Sequence, residues 1–480
     1  MERASTSATT GSDAAPAWIG AAVLAAITVL ALAVRLLAAR GDLWLDEIWS
    51  VELAQRAGSA GAIFTRLHHD NNHYLNTLWL LLVGGDSPVL ARLLSVLCGA
   101  ATVVVGGLVA HRHGLAERLA TATLLACSAV LVHYQSEARG YAPAILCALV
   151  CFQALGAWRR DGRRRFLALF AASAVLGVLA HLTFVLVLAG FTAWVFATAA
   201  RPWRVDWKEV AALAVPGVVL AILWVADLRF MERGGGPGTQ ILGEVRALLR
   251  SAVGLPAGAL EWIGAAALLA AVWQVAVLYR ARDPRWAFFA VMVFVAPALA
   301  FARPGNEYVT ARYFVVCVPF FLVLVSLALC DLARRRRSGR WIVAGALALA
   351  VAGNAVPVAR LLRDGRGHYR EAIAFMESRT AGREVTVGSD HDFRNGKVLG
   401  FHAAHMDLPV PVRYLPAGEA VEAPAWYLLH RMELGPAVAP AVTGPRGRTY
   451  RYAATFPHAG LSGWTWLVYQ RVDGRGLNAP

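Results

Sequence analysis

Two adjacent carboxylates, Asp46 and Glu47, sit within Leu43-Trp44-Leu45-Asp46-Glu47-Ile48-Trp49. Aromatic and aliphatic neighbours favour partial burial, which raises a carboxylate's pKa, whereas a nearby Arg lowers it. Either way the pair can supply a base. The competing reading is helix capping, because Asp is a good N-cap and Glu favours a first turn. Next comes His68-His69-Asp70-Asn71-Asn72-His73-Tyr74. Imidazoles and carboxylates at this density suit a divalent metal, and equally suit hydrogen bonds to sugar hydroxyls or phosphate. A solvated polar loop is the plain alternative. Further along stand His133-Tyr134-Gln135-Ser136-Glu137-Ala138-Arg139-Gly140-Tyr141, then Arg303-Pro304-Gly305-Asn306-Glu307 leading to Arg312-Tyr313. An Arg fork matches pairs of phosphate oxygens, although at a bilayer boundary it can simply snorkel to headgroups. An acidic base, His and Asn groups and Arg side chains together suit a reaction between a lipid phosphate and a hydroxyl or amine acceptor.

These groups must be positioned by membrane helices. Of 480 residues, 58% are hydrophobic and 16% charged, the balance of a membrane protein. The net charge of +15 does not point to nucleic acid, because it is gathered in short Arg clusters between apolar segments. A span needs about 20 apolar residues, which predicts about eleven helices. They fall at 17–39, 88–110, 116–134, 141–158, 166–180, 182–200, 209–227, 260–279, 286–302, 313–331 and 341–361. The first is too long for a signal peptide and reads as a retained helix. Connections after the even-numbered spans carry Arg112 and Arg118; Arg159, Arg160 and Arg163 to Arg165; Arg201, Arg204 and Lys208; Arg280, Arg282 and Arg285; and Arg334 to Arg337 with Arg340. The positive-inside rule makes those loops cytoplasmic. Segments 40–87, 135–140, 181, 228–259, 303–312 and the tail are then outside, so the reactive groups converge on the outer face. Within 40–87, Tyr74–Gly84 is apolar but too short to cross and reads as an interfacial helix.

The tail, 362–480, changes character. Strand-length apolar runs (Val385–Gly388, Pro411–Leu415, Trp426–His430, Tyr450–Phe456, Trp464–Val472) alternate with Gly, Pro and charge, and Tyr369–Ser378 reads as an amphipathic helix. A small extracytoplasmic α/β domain is expected, in which Asp390, His391, Asp392, His402 and His405 are further polar candidates. All six cysteines lie in apolar segments, so no disulfide framework is implied. The sequence contains no P-loop, no dinucleotide fingerprint after a strand and no HExxH. Gly234-Gly235-Gly236-Pro237-Gly238 reads as a loop.

In order, the first helix leading to Asp46-Glu47, Ala91-Arg92-Leu93-Leu94-Ser95, Ser136-Glu137-Ala138-Arg139-Gly140-Tyr141, and Ala311-Arg312-Tyr313 with Pro319 form a pattern over 17–361. It resembles the GT-C class of membrane glycosyltransferases, in the protein O-mannosyltransferase and aminoarabinose transferase branch. The resemblance implies a polytopic helical enzyme of the plasma (inner) membrane. Such an enzyme transfers a sugar from a polyprenyl-phosphate donor to a glycan, lipid or protein acceptor with inversion. By this analogy Asp46 is the general base and Glu47 assists acceptor positioning, while Arg139 and Arg312, with Tyr313, meet the lipid phosphate. His69, Asp70, Asn72, His73, Tyr74, Glu137 and Tyr141 are the expected substrate contacts. The chain departs from the family where many relatives carry a His-Pro-Pro or Lys-Pro-Pro element, having Asp70-Asn71-Asn72-His73-Tyr74-Leu75-Asn76 there. From other classes, a lipid-linked sugar transporter would favour charges or broken helices near the midplane. A third reading makes the tail a binding module on an inactive scaffold.

Overall fold

The computed structural model describes residues 17–110, 114–199, 206–232, 241–254, 261–302, 310–335, 338–418 and 422–472. Arg112, Arg201, Arg204, the Gly234 to Gly238 loop, Arg303 to Glu307, Arg336 and Arg337 lie outside them. Each predicted span is helical: Ala17–Ala38, Pro88–Ala110, Leu115–Cys127 with Ala129–Tyr134, Tyr141–Asp161, Arg164–Ala180, Phe184–Ala199, Trp207–Ala226, Glu261–Arg280, 285–302, 311–334 and Gly339–Asp364. Eight helices among the described residues have the length and apolarity to cross a bilayer, and Tyr74–Val83 is a separate short apolar helix. This is a multi-pass membrane protein. Polar contacts pair the Arg-rich connections. Arg159 donates to Glu209 at 2.8 and 2.6 Å and Arg334 to Glu117 at 2.8 Å. Connections that the charge pattern assigns to one side therefore meet at one end of the bundle.

One expected span is broken. At Ser128 the helix stops and restarts, which frees the Ala129 N–H and the carbonyls of Leu125 and Ala126. Asn354 Oδ1 accepts from Ala129 N at 2.7 Å, and the wholly buried Arg35 donates to Leu125 O at 3.1 Å and Ala126 O at 3.4 Å. Arg35 also holds Gln135 Oε1 at 2.9 and 2.7 Å. Backbone groups released inside an apolar bundle must find partners, and these side chains supply them. The break lets residues 129–134 turn the following loop, 135–140, back over the bundle end.

The tail forms a six-stranded sheet: β1 (Val385–Ser389), β2 (Val412–Tyr414), β3 (Trp426–Arg431), β4 (Ala441–Thr443), β5 (Thr449–Phe456) and β6 (Thr465–Arg471), in the order β2-β1-β3-β6-β5-β4. Its β2-β1-β3 part is parallel, with helix Asp392–Ala404 crossing from β1 to β2; the remaining pairs are antiparallel. Tyr369, Ile373, Met376, Val398, Trp426, Trp464 and Trp466 fill its core. That core runs without interruption into Leu43, Trp44, Ile48 and Val51, the apolar residues around Asp46 and Glu47.

Candidate active site

Asp46 lies in the first turn of helix Leu45–Ala57, whose start is set by Glu47 rather than by Asp46. The Glu47 carboxylate reaches back to accept from Trp44 N at 3.3 Å. Glu47 is fully buried: Arg92 donates Nε to its Oε1 at 2.7 Å and Nη2 to its Oε2 at 2.6 Å, and Ala138 N donates to Oε1 at 2.8 Å. Burial alone would raise this carboxyl; the Arg92 guanidinium overrides it and holds the group below the usual carboxylate range. With both oxygens taken up by protein donors, Glu47 braces the 135–140 loop.

That loop is clamped from two further sides. Asn76 Nδ2 donates to Ala138 O at 2.7 Å and Ser95 Oγ to Arg139 O at 3.1 Å. Gly140 closes it against the turn at His181, where an added Cβ would stand 1.7 Å from Ala180 O. So fixed, Arg139 places Nη1 2.9 Å from Asp46 Oδ2 and donates to Asn71 Oδ1. From the opposite side, Arg312, in the 3-10 turn Ala311–Cys317, donates Nη1 to the same Asp46 oxygen at 2.8 Å. Asn71 in turn donates to Asp46 O at 2.7 Å and Ser50 Oγ at 3.0 Å. Residues 46, 71, 139 and 312, far apart in the chain, thus form one charged cluster. The Arg312 guanidinium also lies 5.7 Å from the Tyr313 ring centroid.

Beside the cluster lies a stack of buried rings: His73 on His181 at 4.6 Å and His181 on Tyr141 at 4.5 Å between centroids. Thr183 N donates to His181 Nδ1 at 3.2 Å, which leaves the ring proton on Nε2. His73 Nε2, His181 Nε2 and Tyr141 Oη are buried without a hydrogen-bond partner. Burial, then the nearby Arg139, push His73 well below its ordinary value and His181 down to about 3, so both rings are neutral.

The other expected contacts stand apart from Asp46's carboxylate. Asn72 is internal, donating to Ile63 O at 2.8 Å and Leu67 O at 3.1 Å. Tyr74 donates to Asp227 at 2.5 Å, and Asp227 also meets His68 Nδ1 at 2.7 Å. His69 accepts from Asn71 N at 3.0 Å, lies 3.1 Å from Asp70 and packs on Trp49 at 4.4 Å. Among the described residues no three His, Cys, Asp or Glu side chains are grouped to hold a metal ion. Glu137 pairs with Arg366 at 3.2 Å, and Arg366 donates also to His133 O at 2.8 Å and Ser136 Oγ at 3.1 Å. In the tail, His402 Nε2 lies 2.9 Å from Leu43 O, while Asp390 is tied to His430 at 2.9 Å and Asp392 accepts from Tyr414 at 2.7 Å. His391 caps helix Asp392–Ala404, and His405 Nδ1 lies 2.7 Å from Phe401 O. Sequence reasoning missed Asn71 and His181, along with the bracing roles of Arg92 and Arg366.

No family model and no curated protein matches this sequence. The fold does match. ArnT from Cupriavidus metallidurans bound to undecaprenyl phosphate aligns with a TM-score of 0.55 at 13% identity, over 97% of this chain and 100% of that one. Its apo form gives 0.56 at 13% identity, over 96% and 100%. The chain has the GT-C fold. The Archaeoglobus fulgidus oligosaccharyltransferase, another protein of GT-C fold, aligns at 0.53 and 11% identity over 82% of this chain and 64% of that one. The β-sheet tail lies within the ArnT alignment, since that alignment covers nearly the whole chain.

Proposed function

We propose that this protein is an inverting glycosyltransferase that takes a sugar from a polyprenyl-phosphate donor on the outer face of the plasma membrane. One observation carries the reading: in a GT-C fold, a carboxylate stands between two arginines at the end of the helical bundle, Asp46 against Arg139 at 2.9 Å and Arg312 at 2.8 Å. Acceptor O–H or N–H gives its proton to Asp46 as the acceptor atom bonds to the anomeric carbon. The bond from that carbon to the phosphate oxygen breaks, and polyprenyl phosphate departs with the electron pair. Arg139 and Arg312 meet the charge that develops on the leaving phosphate, where fixed cations in a partly dry site act most strongly. Neutral His73 and His181, with Tyr141, offer uncharged hydrogen-bonding groups beside the reacting centre. The acceptor is a glycan, a lipid or a protein.

Two proteins of similar fold are known in complex with such a lipid: ArnT bound to undecaprenyl phosphate, and archaeal AglB from Archaeoglobus fulgidus in complex with an inhibitory peptide and a dolichol-phosphate. Transport would need free polar groups at a helix break, and here the freed backbone groups at Ser128 are taken by Arg35 and Asn354. The test is a reconstituted assay offering polyprenyl-phosphate-linked sugars with an envelope extract as acceptor. Wild-type protein is expected to release polyprenyl phosphate with at least one donor. Lipid-linked sugar crossing the bilayer without release of the carrier would support the transporter instead.

A further inference from the structure

The arginines that would hold the donor's phosphate are neutralised here by the base itself. A single oxygen, Asp46 Oδ2, meets Nη1 of both Arg139 and Arg312, at 2.9 and 2.8 Å. One carboxylate oxygen leaves much of two guanidinium forks unused, and indeed Nε of Arg139, Nε of Arg312 and the Tyr141 hydroxyl are buried without partners. Arg139 is itself only 4% exposed. A buried donor of this kind calls for a bound ion, ligand or water to complete it. A phosphate group, with more acceptor oxygens than one carboxylate, supplies what is missing.

The stereochemistry of inversion sharpens this. The base acts on the face of the sugar opposite the leaving group, so a sugar ring must come between Asp46 and the phosphate. With one oxygen shared by both Nη1 atoms, Asp46 instead fills the place from which a phosphate would engage those same donors. From this geometry we infer that Asp46 is a stand-in ligand in the anion site: it occupies the phosphate position when no donor is bound and is displaced by the donor's phosphate. Held in the anion site, Asp46 is not on the acceptor's side of a bound sugar, so it becomes available as a base only once the donor has displaced it. Donor binding therefore precedes acceptor deprotonation. This rests on the proposed function for the identity of the anion as a lipid phosphate.

The test is binding of undecaprenyl phosphate to the full chain in nanodiscs of neutral lipid. Removing the competitor frees both arginines, so Asp46→Asn is expected to bind the lipid at least about tenfold more tightly than wild type, the scale of one charge contact at a partly buried site. Arg139→Gln should weaken binding in both the wild-type and Asp46→Asn backgrounds. Glu52→Gln removes one charge from the same helix, where Glu52 pairs with Lys397, and should change affinity less than twofold, which separates direct competition from a general field effect. Should Asp46→Asn not be recovered, Asp46→Ser serves in its place. Equal or weaker binding by the Asp46 variant, or an equal gain in Glu52→Gln, overturns the inference. Turnover by wild type without tighter binding by the variant sinks the stand-in role alone. Tighter binding with no turnover of any donor sinks the transferase reading alone.

Discussion

The brace beneath the active-site loop makes a quantitative prediction. Glu47 accepts four hydrogen bonds: two from Arg92, one from Ala138 N and one from Trp44 N. Arg92 spends its remaining capacity on Ala39 O at 3.0 Å, Gly41 O at 2.5 Å and Asp42 O at 2.8 Å. In Glu47→Gln the side-chain NH2 faces backbone and guanidinium donors, and Arg92 keeps a buried charge with no counter-ion. Breaking one side of a wholly buried pair costs about 3–5 kcal/mol, far more than an exposed ion pair contributes. For a chain of this size roughly 1–2 °C is expected per kcal/mol, so the thermal midpoint in detergent should fall by roughly 3–10 °C. The cycle with Arg92→Met sharpens the test. In the Glu47→Gln background the Arg92 substitution should cost about 2 kcal/mol less than in wild type, because the unpaired charge has already been created. A Glu47→Gln midpoint within about 1 °C of wild type, or simple additivity of the two substitutions, would show that the Glu47–Arg92 pair does not brace the loop.

Two further outcomes follow from the same geometry. Gly140→Ala puts a Cβ against Ala180 O, a backbone atom that cannot swing aside; the loop must shift, and kcat should drop about a hundredfold with membrane insertion intact, because Arg139 is displaced. Stability should also depend on pH in one direction. His73 and His181 are held below the ordinary value of 6.5, so the unfolded chain binds more protons than the folded one under mildly acidic conditions. The thermal midpoint should be level above 6.5 and fall as pH drops from there toward 3, the folded-state value of His181, with depressed Glu47 adding to the loss once its unfolded carboxyl protonates. His181→Asn should flatten the decline; an unchanged midpoint for wild type down to pH 5 or so would contradict the assignment.

The helical bundle was legible because apolar length and Arg-rich loops are local signals, and the strands of the tail because apolar runs punctuated by Gly and Pro are too. Strand β4 and helix Asp392–Ala404 were missed. The first is three residues between prolines and glycines, and the second mixes charges with Gly396 and Gly400. The break at Ser128 was also hidden, because Arg35 and Asn354, which satisfy it, come from helices far along the chain. Asp46, Arg139 and Arg312 were readable as charged residues at the ends of apolar segments, though not that one carboxylate oxygen joins them. His181, a lone imidazole between two apolar runs, gave no signal in sequence; its meaning comes from stacking on His73 and Tyr141. The Glu137–Arg366 pair spans 229 residues and leaves no local pattern.

Single-turnover sugar transfer from a bound polyprenyl-phosphate donor, comparing wild type with Asp46→Asn in liposomes, tests Asp46 as the base most directly. Removing a general base should slow the chemical step by about 10²–10⁴-fold while the donor stays bound. Transfer by Asp46→Asn within about threefold of wild type would show that Asp46 does not take the acceptor's proton, and the account of this site would fail.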